Sequence, residues 1–101
     1  PFFYPVLGPG GKAVTRNYPM KDVPGETKDH PHHRSFWTAY GEVNGVDDWS
    51  ETPGKHGFIR HQKFERLVSG PVWGGFTASA RWVSMEGKPL LEERRMIQVY
   101  D

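Results

Sequence analysis

Apolar and polar residues alternate with a period of two over much of the chain, the spacing of strands whose successive side chains face opposite ways. The clearest run is "VWGGFTASARWVSM", where Phe76, Ala78, Ala80 and Trp82 share one face and the Gly74-Gly75 pair predicts a kink or bulge. A second, "LLEERRMIQVY", sets Leu91, Glu93, Arg95, Ile97 and Val99 on one side and Glu92, Arg94, Met96, Gln98 and Tyr100 on the other. "FIRHQKFERLVS" is ambiguous. Phe58, Ile59, Phe64, Leu67 and Val68 fit one helical face, whereas Ile59, His61, Lys63 and Glu65 alternate with Arg60, Gln62, Phe64 and Arg66 as in a bent strand. Its β neighbours favour the strand. "FFYPVLGPGG" reads as an aromatic strand closed by a turn, "KAVTR" as its return, and "SFWTAYGEV" as a further strand rich in aromatic and β-branched residues. "NYPMKDVPGETKD" reads as an exposed loop, and Asn44-Gly45 and "EGKP" mark turns. Five or six strands and no helix predict an all-β fold, an antiparallel β-sandwich or a section of one.

Length and composition narrow this further. The 101 residues suffice for a single domain, 1–101. Both ends, "PFFYPV" and "RRMIQVYD", read as the interior of strands, so an incomplete N-terminal or central portion of a larger domain is expected. Twelve Gly and nine Pro suit a turn-rich β-fold, with four Trp, four Tyr and six Phe supplying the apolar bulk. Thirteen basic and twelve acidic residues are interspersed without a block of like charge, so no nucleic-acid partner is expected. The absence of cysteine excludes disulfides and thiolate metal sites. No apolar run is long enough to span a membrane, and no signal-peptide pattern is present.

The chemistry concentrates in "DHPHHR". Pro31 has no amide proton and disfavours a central strand, which predicts a strand entrance here. In extended chain His30, His32 and Arg34 would project to one side, and Asp29 and His33 to the other. Three readings stay open. Imidazoles two apart on one face can share a divalent ion, making His30, His32 and His33 candidate metal ligands. Arg34 can grip a carboxylate or a hydroxyl pair while a histidine moves a proton, a sugar or acid–base site. Or Asp29, the histidines and Arg34 satisfy one another around a polar turn. "NGVDDW" offers Asp47 and Asp48 beside Trp49, which suits a sugar stacked on a ring and equally an Asx-turn packed under a tryptophan. The run Glu92 to Arg95 reads as cross-strand pairing on a solvated face. "GPGG" has no following helix and is no phosphate cradle, G-x-S-x-G is absent, and no blue-copper or facial-triad pattern assembles.

Taken in order, "FFYPVLGPGGKAVTRNYP", "DHPHHRSFWTAYGEVNGVDDW", "GKHGFIRHQKFERLVSGPVWGGFTASARWV" and "LLEERRMI" resemble the bacterial methane oxygenase PmoA-like domain family, over essentially the whole chain. The most specific part is H-P-H-H-R followed by Trp and then G-x-V-N-G-x-D-x-W. The resemblance implies a partial galactose-mutarotase-like β-supersandwich, the remainder of the parent chain completing it. It implies a sugar or sugar-acid ligand, with His30, His32 and His33 as acid–base residues and Arg34, Trp37, Asn44, Asp47 and Trp49 contacting the substrate. A non-catalytic glycan-binding module and a structural or oxidative metal domain are the alternatives; a divalent metal is the one cofactor considered, and nothing in the sequence requires it. For the full-length parent it implies a bacterial protein, periplasmic or extracellular. Family members often carry an aromatic where this chain has Asp48.

Overall fold

The computed structural model describes residues 1–100. The chain is all-β, with a two-stranded and a three-stranded sheet, both antiparallel. It divides into two compact units, Pro1–Tyr40 and Gly41–Asp101.

In the first unit β1 (Phe2–Phe3) pairs with β2 (Phe36–Trp37), Phe2 opposite Trp37 and Phe3 opposite Phe36. The Phe3 and Phe36 rings lie 5.8 Å apart. The expected hairpin around "GPGG" forms as a bridge between Leu7 and Ala13 closed by a 3₁₀ turn at Pro9–Gly11. The polar stretch after it is an organised loop. Glu26 accepts hydrogen bonds from the Asn17 and Tyr18 amides and from Asn17 Nδ2, and the Tyr4 hydroxyl donates to Asn17 Oδ1.

The second unit is built on β3 (Phe58–Val68), β4 (Trp73–Val83) and β5 (Pro89–Tyr100), with β4 central. "FIRHQKFERLVS" is therefore strand, and β4 and β5 fall where the alternation places them. The expected facing within β3 is corrected. Register shifts between His61 and Lys63 and between Phe64 and Arg66 leave Gln62 and Glu65 as bulged residues. Each bulge flips the alternation. Ile59, His61, Phe64 and Leu67 accordingly pair with Trp82, Ala80, Ala78 and Phe76 on one face, while Arg60, Lys63 and Arg66 pair with Arg81, Ser79 and Thr77 on the other.

Gly74-Gly75 makes no bulge: both residues stay in continuous register with Val99 and Gln98. A Cβ at Gly75 would lie 2.2 Å from the Ile97 carbonyl oxygen, so the glycine permits close approach of β5. The one shift between β4 and β5 leaves Leu90 extra, and Asn44 Nδ2 donates to its carbonyl at 2.9 Å. The small core of this unit is Val43, Ala78, Ala80, Trp82 and Val83.

The charge run splits between the two faces. Glu92 and Arg94 pair across strands with Arg81 and Glu65, as expected of a solvated face. Glu93 and Arg95 are nearly buried: Arg95 Nε and Trp82 Nε1 both donate to the Glu93 carboxylate, at 2.5 and 2.6 Å.

Candidate functional site

"DHPHHR" is a tight turn and not extended chain. His30 has φ 44° and its carbonyl accepts the His33 amide at 2.9 Å, enclosing Pro31 and His32. Proline presets the backbone at the second position of such a turn. The alternation expected of the histidines is therefore replaced by a ring cluster. His30 stacks on His33 at 4.8 Å and 17°, and His33 stacks on Trp37 at 5.1 Å and 30°. His32 stands edge-on to His33 at 4.4 Å and 78°.

A residue absent from the sequence-derived set holds this turn. Arg16 Nη1 donates to Asp29 Oδ1 at 2.7 Å, and Nη2 donates to the Asp29 and His30 carbonyls at 2.8 and 2.9 Å. Nη1 also reaches the Thr27 carbonyl. One guanidinium thus fixes the backbone on both sides of His30, where a left-handed non-glycine residue carries strain. The other Asp29 oxygen lies 2.8 Å from His30 Nδ1. Hydrogen bonds from Arg16 and then His30 hold the Asp29 carboxyl below its ordinary range. In the neutral tautomer with its proton on Nδ1, His30 keeps Nε2 as a base. Burial, and then the nearby His32, His30 and Arg16, push His33 below the ordinary imidazole range, against a smaller opposing effect of Asp29. This shift favours the neutral imidazole. Nothing local signals Arg16: it lies thirteen residues from Asp29, at the end of an ordinary strand pattern.

This geometry bears on a metal. An ion lies near the plane of each imidazole that binds it, and two rings stacked at 17° cannot share one. Among the described residues no group of three or more His, Cys, Asp or Glu side chains could hold a metal ion.

Arg34 and Trp37 lie in Pro1–Tyr40 with the histidines, both half-buried; Asn44, Asp47 and Trp49 lie in Gly41–Asp101. Asn44 and Gly45, at φ 50° and 82°, form a two-residue hairpin turn between Val43 and Val46. Asp47 closes an Asx-turn, its carboxylate accepting the Trp49 and Ser50 amides and the Ser50 hydroxyl. The Ser50 hydroxyl foremost, then these amides, hold its carboxyl below the ordinary range. Trp49 is 44% exposed.

Asp48 behaves oppositely. It is 8% exposed and neither carboxyl oxygen has a hydrogen-bond partner. Burial foremost, and then Asp47, raise its carboxyl, with His56 opposing. Gly57 packs directly against it: a Cβ there would lie 2.5 Å from Asp48 Oδ1 and 2.6 Å from the Val83 carbonyl oxygen.

The chain is all-β, and its unit Pro1–Tyr40 presents a clamped Asp–His pair beside a stack of imidazole and indole rings. The chain belongs to a family of unknown function, DUF6807, whose model matches residues 1–101. No curated protein and no solved structure matches it.

Proposed function

We propose that this domain binds or converts a sugar or sugar acid at the His30–Arg34 turn, as a portion of a PmoA-like, galactose-mutarotase-like β-supersandwich. The observation that carries the reading is the Asp29–His30 pair held in place by Arg16. Asp29 orients His30 so that Nε2 can take a proton from, or return one to, a sugar hydroxyl or ring oxygen. His33, shifted toward its neutral form, adds a second acid–base group, and His32 completes the histidine set. Arg34 follows in the chain and supplies a cation for a carboxylate or a pair of hydroxyls. Trp37 continues the stack with the kind of surface on which pyranose rings lie. The stacking of His30 on His33 favours this reading over metal ligation shared by those two rings.

The test is calorimetric titration of glucuronate, galacturonate and, as the uncharged comparison, glucose. Wild type should bind a uronate saturably, and His30→Gln and Asp29→Asn should each weaken it roughly tenfold, about one charge-assisted hydrogen bond. Unchanged melting temperatures would show that the turn survives in both variants. Equal affinities in all three proteins, or no heat with any sugar, would overturn the proposal. Stoichiometric zinc binding that disappears in His32→Ala/His33→Ala would replace it with the metal reading.

A further inference from the structure

We infer that the face of the three-stranded sheet bearing Arg60, Lys63 and Arg66 is a docking surface for an acidic polysaccharide chain. The cations support an anionic occupant; the choice of a carbohydrate polyanion rests on the function proposed above.

No basic stripe is visible in the linear sequence, because the three residues are spaced by threes and simple alternation would put Lys63 opposite the other two. The bulges at Gln62 and Glu65 bring all three to one face, on successive cross-strand rows with Arg81, Ser79 and Thr77. Those rows are two β4 residues apart, so the cations repeat about every 6.8 Å along the strand. All three side chains are exposed. Among the described residues none has a carboxylate within ion-pair distance; Arg60 only lies over the Phe58 ring, at 5.8 Å. Arg81 and Arg94 share the face but are neutralised by Glu92 and Glu65. Arg60 stands directly opposite Arg81.

The rest of the face suits a carboxylated sugar chain better than a nucleic acid. Ser79, a hydroxyl residue, lies beside Lys63, where single-stranded nucleic acid would need aromatic rings for successive bases. The net charge of +1 is also far below that of a typical nucleic-acid-binding domain.

The experiment measures binding of polygalacturonate at about 50 and about 200 mM NaCl, where releasing counterions from three sites costs roughly tenfold in affinity. Arg60→Gln/Lys63→Gln/Arg66→Gln should weaken binding at least tenfold and flatten the salt dependence. Lys12→Gln/Lys21→Gln/Lys55→Gln, which removes the same charge from exposed positions elsewhere, should stay within twofold of wild type. Should the first triple variant not fold, Lys63→Gln and Arg66→Gln taken singly should each weaken binding about threefold. Equal weakening in the two triple variants, or equal binding of fully methyl-esterified polygalacturonate, would overturn the proposal. Single-stranded DNA bound as tightly and through the same three residues would transfer the surface to nucleic acid. A His30→Gln variant that loses monosaccharide but keeps polymer, or the reverse, shows which of the two sites fails.

Discussion

At the scale of single residues, the adjacent carboxylates of Asp47 and Asp48 titrate in opposite directions. Asp47 is surrounded by donors, whereas Asp48 is enclosed without any. In Asp48 the folded state holds its proton more tightly than the unfolded chain does, so the stability linked to this group is full below the ordinary carboxylate range. It is lost as pH rises through the raised value. Asp48→Asn keeps the shape and cannot ionise. Its stability should match wild type in acid, exceed it at neutral pH and lack this falling segment. Denaturant midpoints measured across the acid-to-neutral range check this, and parallel curves for the two proteins would refute it. The sequence marked "NGVDDW" as worth attention but could not say which aspartate is buried. The decision is made by Gly57, nine residues on, whose missing side chain leaves room for the Asp48 carboxyl.

At the scale of elements, the three long strands were legible because their alternation is long and is bounded by turn residues. What escaped was where the alternation slips. Bulged Gln62 and Glu65 are ordinary exposed polar residues in sequence, and only pairing against β4 reveals them. The glycine pair invited a bulge and instead marks close strand approach. That difference has a measurable consequence. A Cβ at Gly75 meets the rigid backbone of Ile97 and Gln98, whereas one at Gly74 meets only the Val68 carbonyl oxygen, at 3.3 Å. Gly75→Ala should therefore cost about 3 kcal/mol or more, the upper range for overpacking, and Gly74→Ala about 1 kcal/mol or less. Chemical denaturation of both variants tests the contrast, and equal losses would show that β5 yields freely. The histidine turn was legible in position and not in shape. Its backbone is bent by a long-range clamp from Arg16, which no local pattern encodes.

At the scale of the whole molecule, polar and apolar edges are handled differently. The three-stranded sheet ends in β3 and β5. The β3 edge is interrupted by two bulges and carries Lys63, Glu65 and Arg66, devices that discourage pairing with another chain. The β5 edge has one irregularity near its start and then runs in continuous register from Leu91 to Tyr100. Its exposed residues include Met96, Val99 and Tyr100, each at least 64% exposed. A long, regular, partly apolar edge is a template for strand addition, whether by a neighbouring segment or by a second copy. The protein should therefore self-associate as concentration rises, through β5 and not β3. Val99→Lys places a charge on that edge at an exposed position whose loss costs little packing, so it should suppress association and leave the melting temperature within a few degrees, the effect of less than about 1 kcal/mol. Lys63→Val, which makes the β3 edge more apolar, should change association less because the bulges remain. Sedimentation velocity over a concentration series separates these outcomes. Association unaffected by Val99→Lys but lost when a β3 position is charged would mean that the bulged edge is the one that pairs.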